Sequence, residues 1–391
     1  MFSNSSDKKQ NNNVKFSPKH GGALTAAAEF FDIPVTDWLD LSTGINPESW
    51  PVPNIPSWVW QRLPEQSSEV LSGKSLESTA LTYYLNGAIG QNRSAESEIS
   101  DCPTVNNILS SAGSQQAIRL LPLLFNSMQK HAKQGAIIHT EAKVWVTAGS
   151  FSEHGLAWEE QGHRVGRVAC DRISQLLAQQ PVDVLILVNP DNPSGYRWQP
   201  EQLLKWWSIL RRRGGWLIVD EAFMDMTANQ SLTPYVEREG LFVLRSVGKF
   251  FGLAGVRLGF MFASQKSIAC AKKMLGPWSL SHPAQYVGAQ ALQDFEWIEL
   301  QKQLLTQQAE RLTLLLKKYI PYQSFGTDLF RTIYFNDADR VFQALAKLGI
   351  LVRYLPVTPK SQHAIRLGLP ANDEQQWQRL ENALANIMSK K

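Results

Sequence analysis

The residues with the most chemical potential lie between Ser246 and Gly259, which reads S-V-G-K-F-F-G-L-A-G-V-R-L-G. Lys249 stands in an apolar run with Phe250, Phe251, Leu253 and Ala254. Such surroundings strip water from an ammonium and favour the neutral, nucleophilic amine. Three residues earlier Ser246 offers a hydroxyl; eight residues later Arg257 offers a fixed planar cation. A hydroxyl and a guanidinium are groups that hold a phosphate ester. An amine nucleophile beside a phosphate anchor suggests a Schiff base to pyridoxal phosphate. Taken alone, the stretch is also a strand, a turn and a second strand, with a surface lysine and an ordinary ion pair.

Other segments carry polar residues at the ends of predicted elements. Ser111-Ala112-Gly113-Ser114-Gln115-Gln116 follows a strand and opens a helix. Gly113 permits close backbone approach, and the N–H groups of Ser114 and Gln115 form a phosphate site at the helix start. The same residues also read as a plain serine cap with a glutamine behind it. Asn189-Pro190-Asp191-Asn192-Pro193-Ser194-Gly195 ends an apolar strand. Its two Asn-Pro pairs make a stiff turn, and the Asn192 amide can donate to a phenolic oxygen. Asp220 ends the apolar strand Trp216 to Val219. A carboxylate there needs a cationic partner, such as a pyridinium N–H, or serves as a helix cap. Phe151, next to Ser152-Glu153-His154, either stacks on a ring or packs in the core. Arg353 and Arg366 fall on two short C-terminal strands, where they either grip two anionic groups or form surface ion pairs.

These positions need a scaffold. Apolar strand-like runs at Ile108 to Ser111, Ala136 to His139, Arg164 to Ala169, Val184 to Val188, Trp216 to Val219, Phe242 to Leu244 and Leu258 to Phe262 alternate with helical segments. That alternation predicts an α/β domain with a mostly parallel sheet covered on both faces, and ligands gather at the carboxyl ends of such strands. A helical stretch over 284–318 links it to a smaller α+β unit. The expected organisation is a flexible arm over 1–16, an N-terminal segment over 17–65 that contributes to the small domain and the site, a large cofactor-binding domain over 66–283, and the linking helix and small domain over 284–391. The proline-rich stretch before residue 64 is expected to be an extended connector.

Composition narrows the class. Hydrophobic residues make up 43% and charged residues 19% of 391, as in ordinary globular proteins. A net charge of +4 with short, isolated basic clusters does not point to nucleic acid. Cys102, Cys170 and Cys270 are scattered, with neither metal nor disulfide spacing, which fits a reducing cytoplasm. The N-terminus has no apolar signal core, and the longest apolar runs are strand-sized, so no membrane partner is expected. Two short matches fail. Gly73-Lys74-Ser75 lacks the first glycine of a P-loop, because Ser68 stands in its place. Ser246-x-x-Lys249 lacks the companion motifs of penicillin-recognising enzymes.

Taken as an ordered set, N-P-D-N-P-S-G, D-E-A-F and S-V-G-K-F-F-G-L-A-G-V-R-L-G resemble the fold-type I pyridoxal phosphate enzymes of the class I/II aminotransferase group, over residues 18–388. Within that group the chain is most similar to the threonine-phosphate decarboxylases of cobalamin biosynthesis. The segments that carry this are His20-Gly21-Gly22, Leu41 to Pro47, Leu63-Pro64-Glu65, Gly276-Pro277-Trp278, Gly326 to Arg331 and Arg366 to Pro370. Phe223 and Leu63 stand where histidinol-phosphate aminotransferases usually carry tyrosine or another aromatic, and both departures fit the decarboxylases better.

The resemblance implies a large domain with a seven-stranded sheet, a smaller α+β domain and a homodimer. It implies that Lys249 forms the Schiff base and later returns a proton to Cα. Asp220 keeps the ring nitrogen protonated, Asn192 orients the phenolic oxygen and Phe151 stacks on the ring. Gly113, Ser114, Gln115, Ser246 and Arg257 hold the cofactor phosphate. Arg366 grips the substrate carboxylate; His20 and Arg353 are candidates for the substrate phosphate, with Ser42 or Asn46 nearby. No metal is implied. The implied reaction is loss of CO₂ from L-threonine O-3-phosphate to give (R)-1-amino-2-propanol O-2-phosphate. The alternatives are a histidinol-phosphate-type aminotransferase and a non-catalytic regulator on the same fold; no helix-turn-helix pattern is evident before residue 50.

Overall fold

Val184 to Val188 (V-L-I-L-V) and Trp216 to Asp220 (W-L-I-V-D) offer no polar face until the final carboxylate. Strands of that composition are stable only when both faces are covered. The computed structural model describes residues 16–64, 74–89, 102–132, 141–356 and 363–389, and it places both runs at the centre of a seven-stranded sheet.

The chain begins with α1 (Leu24–Phe31), β1 (Leu39–Asp40), α2 (Ser57–Gln61) and α3 (Leu76–Ile89). The large sheet and its helices follow: β2 (Ile108–Ser111), α4 (Ser114–Ala132), β3 (Lys143–Thr147), α5 (Glu153–Glu159), β4 (Arg164–Val168), α6 (Ile173–Gln179), β5 (Val184–Val188), α7 (Pro200–Arg211), β6 (Trp216–Asp220), β7 (Leu241–Ser246) and β8 (Gly259–Ala263). Next come α8 (Gln265–Leu275), α9 (His282–Ala291) and α10 (Phe295–Tyr319). The remainder is β9 (Ser324–Thr327), β10 (Phe330–Phe335), α11 (Ala338–Lys347), β11 (Ile350–Leu351), β12 (Arg353–Leu355), β13 (His363–Gly368) and α12 (Glu374–Ser389).

The large sheet has the order β2-β8-β7-β6-β5-β3-β4, parallel throughout except for β8. Side chains alternate between two cores. Leu185, Leu187, Leu217, Val219 and Val243 enter one; Val184, Ile186, Ile218, Phe242 and Leu244 enter the other. The consequence for function is geometric. The C-terminal ends of β2, β3, β5, β6 and β7 emerge along one edge, and antiparallel β8 starts there, with Gly259 opposite both Ser111 and Ser246. A second, antiparallel sheet has the order β12-β13-β10-β9, and β1 pairs with β11.

Two expectations change, and a third falls outside the described residues. The strand expected over Ala136 to His139 lies outside the described residues, and the strand paired between β4 and β5 is Lys143–Thr147. The stretch over 284–318 is two helices. Asp294 interrupts it: Oδ1 accepts the Trp297 N–H at 3.1 Å as an N-cap, while Oδ2 accepts the Trp50 indole N–H at 2.9 Å. The proline-rich connector contains α2, whose residues lie between Pro56 and Pro64. Of the arm expected over 1–16, only Phe16 is described; it is buried, its ring 5.5–6.2 Å from those of Phe30, Phe31 and Phe342.

A buried charge network braces the edge. Arg245, one residue before Ser246, donates to Glu221 Oε2 at 3.0 Å and to Asp225 Oδ1 at 3.2 Å. The Ser231 hydroxyl and the Leu232 N–H also donate to Glu221, and the Tyr83 hydroxyl donates to Asp225. Burial pushes the Glu221 carboxyl up and Arg245 opposes that shift. Arg245→Met leaves two buried carboxylates without a counter-charge. The expected cost in denaturant unfolding is about 3–5 kcal/mol; a loss below about 1 kcal/mol would equate the pair with a surface bridge.

Candidate active site

The edge described above opens into a cleft of about 700 Å³ that reaches from β2, β3, β5 and β7 to β12 and β13 of the second sheet. Its walls bring together Phe151, Asn192, Lys249, Arg257, Arg353 and Arg366, which span more than half of the chain.

Lys249 follows β7 in a tight turn, its carbonyl accepting the N–H groups of Asn46 at 3.0 Å and Gly252 at 3.2 Å. Nζ lies 5.6 Å from the centre of the Phe223 ring. Burial lowers its pKa to about 8; the Arg366 and Arg257 charges push the same way, and Asp220 opposes them. The amine is therefore available in neutral form near physiological pH.

Asp220 is buried at the end of β6. Its Oδ1 accepts the Ala222 N–H at 3.0 Å, and its Oδ2 is 2.8 Å from Nε2 of buried His154. Sequence reasoning passed over His154. Its signal was positional: three residues after Phe151 it occupies the next turn of α5, and its ring stands edge-on to Phe151 at 6.0 Å. The contact with His154 fixes the orientation of the carboxylate.

Asn192 and Arg366 are joined directly. Arg366 Nη1 donates to Asn192 Oδ1 at 2.5 Å and Nη2 to the Ser42 carbonyl at 2.6 Å. The amide oxygen of Asn192 is thereby occupied, and its NH₂ remains to donate. Arg366 is 5% exposed, its Nε has no partner, and no carboxylate forms an ion pair with it among the described residues. Burial lowers its pKa to about 10; Arg353 adds to the effect and the Asp40 charge opposes it. A buried cation whose nearest acidic charge makes no direct ion pair with it is costly unless an anion arrives.

Arg257 lines the same cleft beside the start of α4. Arg257 adopts a left-handed conformation at φ 54° and holds its own turn through Nη1 to the Ala254 carbonyl at 3.0 Å. A Cβ on Gly113 would lie 2.5 Å from Arg257 Nη2, so the glycine makes room for the guanidinium beside the start of α4. Ser114 and Gln115 open that helix, and the Ser246 hydroxyl accepts the Gly248 N–H at 3.3 Å close by. The Gln115 side chain itself is turned to Glu153 at 2.8 Å.

The remaining candidates are placed as follows. His20 lines the cleft, with Nε2 3.6 Å from Glu153 Oε1. Arg353 also lines it, while donating to the carbonyls of Pro18, at 2.6 Å, and Lys19. Ser42 lies behind the wall: its hydroxyl donates to Asp40 at 2.6 Å and accepts the Gly22 N–H at 2.7 Å. The Asn46 side chain is occupied by the Phe250 carbonyl, the Glu48 N–H and Gln301, where it supports the Lys249 turn. Among the described residues no group of His, Cys, Asp and Glu could hold a metal ion, and no helix is long and apolar enough to cross a membrane.

Comparison with known proteins gives a consistent picture. The family model described as Aminotransferase class I and II matches residues 36–384. A threonine-phosphate decarboxylase of Pseudomonas aeruginosa is 38% identical over 94% of this chain and 97% of its own length. One from a Sinorhizobium species is 32% identical over 94% and 98%. Among solved structures, the histidinol-phosphate aminotransferase of Sinorhizobium meliloti in complex with pyridoxal-5'-phosphate aligns with a TM-score of 0.71 over 98% of this chain and 99% of that one, at 16% identity.

The shifted lysine is directly measurable. In cofactor-free protein, the rate of Lys249 modification by an amine-reactive reagent should rise tenfold per pH unit and level off at about 8. In Arg366→Leu the inflection should move to higher pH, because a cationic neighbour is removed. An inflection near the ordinary 10.5 in the unmodified sequence would contradict the assignment.

Proposed function

The chain belongs to the class I and II aminotransferase family, and we propose that it is a pyridoxal phosphate enzyme that decarboxylates L-threonine O-3-phosphate to (R)-1-amino-2-propanol O-2-phosphate for the corrinoid side chain. The residues fit the cofactor. Lys249 supplies the amine and Asp220 the carboxylate for the ring nitrogen. The Asn192 NH₂ is free for the phenolic oxygen, and Phe151 stands as an aromatic wall. Ser246, Arg257 and the backbone around Gly113, Ser114 and Gln115 provide the phosphate cradle. When bound, pyridoxal phosphate supplies an aldehyde carbon for the substrate amine and a ring that accepts the electron pair of a breaking Cα bond.

The protein's own groups do the rest. Asp220, oriented by His154, keeps a proton on the ring nitrogen. Lys249 Nζ, in its ammonium form, would be the acid that returns a proton to Cα once CO₂ has left. Arg366 holds the carboxylate, and Arg353 with His20 faces the phosphate. The observation that carries this reading is Arg366: a buried guanidinium with an unpartnered Nε and no direct ion pair to a carboxylate among the described residues, joined to Asn192 in the same cleft as Lys249. The 38% and 32% identical relatives, both named threonine-phosphate decarboxylase, favour decarboxylation over transamination as its use.

The same reading includes a cytoplasmic homodimer. Three free thiols support the first part. Exposed Trp60, Leu63 and Trp278 support the second, since apolar surface around α2 and before α9 fits an interface with another copy.

The test is product analysis. Holoenzyme given L-threonine phosphate should release one CO₂ per substrate consumed and regain its original cofactor absorbance. Conversion of the cofactor to its amine form, with faster turnover of histidinol phosphate, would establish the aminotransferase instead. Absence of turnover on both would leave a binding protein.

A further inference from the structure

Between the wall that carries Phe151 and the turn that carries Asn192 lies a carboxylate with no role in the chemistry above. Asp191 is 3% exposed. Its Oδ1 accepts the Ser150 hydroxyl at 2.6 Å; its Oδ2 accepts the Ser194 hydroxyl at 2.5 Å and the Ser194 N–H at 3.2 Å. Burial pushes its carboxyl up, and these three donors oppose that shift. No ion pair to Asp191 is present among the described residues, so its interactions are short, directional hydrogen bonds at the back of the cleft.

The two partners belong to different walls. Ser150 follows β3 and precedes Phe151; both line the cleft. Asp191 follows β5 and precedes Asn192, whose Oδ1 receives Arg366. The far side of this turn is already clamped to the second sheet. Thr332, which faces Arg366 across β10 and β13, donates its hydroxyl to the Pro193 carbonyl at 2.6 Å. Gly195 approaches Gly326 so closely that a Cβ would lie 2.3 Å from the Gly326 carbonyl oxygen. β3 and β5 are paired neighbours, and beyond their ends the Ser150–Asp191 bond ties the segment that carries Phe151 to the turn that carries the Asn192–Arg366 pair.

That tie matters because the bond that breaks at Cα is the one held perpendicular to the cofactor ring. In decarboxylation the Cα–carboxylate bond breaks, its electron pair stays on the Cα side, CO₂ leaves and Cα gains one proton. In the competing transamination the Cα–H bond breaks and the proton leaves Cα. Water then releases the 2-oxo acid, oxidised by two electrons, while the cofactor aldehyde is reduced to its amine and keeps the nitrogen. A rotation of the substrate separates the two outcomes, and a carboxylate anchor displaced against the ring wall produces such a rotation.

We propose that Asp191 is a positioning residue for reaction choice: its bond to Ser150 fixes Arg366-bound Asn192 against Phe151, and so holds the carboxylate of the substrate in the orientation that cleaves. This rests on the decarboxylase reading above.

The experiment uses holoenzyme carrying Ser150→Ala, Asp191→Ala or Asp191→Asn. Ser150→Ala removes one hydrogen bond and leaves the Asp191–Ser194 turn intact, so it tests the proposal even where Asp191→Ala does not fold. Expected for Ser150→Ala is a fall in kcat of about tenfold with KM within about twofold, since misplacement rather than lost binding is the defect. The share of turnovers that end in the amine form of the cofactor should rise, and the visible circular dichroism of the bound cofactor should change before any substrate is added. Asp191→Asn should recover most of kcat, because its amide can accept from Ser194 and donate to the Ser150 oxygen. Ser150→Ala with unchanged kcat, product partition and cofactor dichroism overturns the proposal, and so does a lowered melting temperature as the sole change. If the unmodified enzyme releases no CO₂, the decarboxylase reading falls; the substrate-free dichroism of Ser150→Ala then still decides whether the bond positions the ring wall.

Discussion

A buried guanidinium that makes no direct ion pair with a carboxylate among the described residues is the constraint on which the site depends. Arg366 makes two hydrogen bonds to neutral oxygens and leaves Nε unsatisfied. Arg245, buried in the core, also leaves Nε without a partner and also lies over an aromatic ring, but it receives two carboxylates in direct ion pairs. The contrast is physical. A buried charge with no direct ion pair destabilises the fold, and an anion bound beside Lys249 and Asn192, as proposed above, would offset that cost. The same charge also helps to lower the Lys249 pKa to about 8, so one buried cation prepares both the anchor and the nucleophile.

The sheet makes this arrangement possible. Parallel strands deliver their C-terminal residues to one edge, so Gly113, Phe151, Asn192, Asp220 and Lys249, spread over 137 positions from Gly113 to Lys249, arrive together. Antiparallel β8 reverses the pattern at the point where it is needed. By starting at the functional edge, it places Arg257 two residues outside the sheet and over Gly113. The second sheet then brings Arg366 and Arg353 side by side on paired strands.

Much of this was legible in the sequence for one reason: polar residues directly after apolar strand runs, as in Val219-Asp220, Val188-Asn189 and Ser246 to Lys249, mark a strand end. What was not legible depends on packing between distant segments. His154 reaches Asp220 only because α5, which packs on β3 and β4, carries it across to the end of β6. Asn46 and Ser42, neighbours of the site in sequence pattern, are drawn into supporting bonds with Phe250 and Asp40. Arg353 is partly committed to the carbonyls of Pro18 and Lys19, which no local pattern announces. The strand between β4 and β5 is the K-V-W-V-T run at 143–147, whose alternation of polar and apolar residues was not singled out. The Asp294 cap was outweighed by helical periodicity on both sides of it.

The account turns on Arg366 as the receptor for a carboxylate, and one comparison isolates that claim. In Arg366→Leu, kcat/KM for L-threonine phosphate should fall by about 10–100-fold, the value of a hydrogen bond to a charged group. Inhibition by the decarboxylated amine phosphate, which lacks the carboxylate, should stay within about threefold of the parent. Equal losses for both ligands, or no loss for the carboxylate-bearing one, would contradict the assignment.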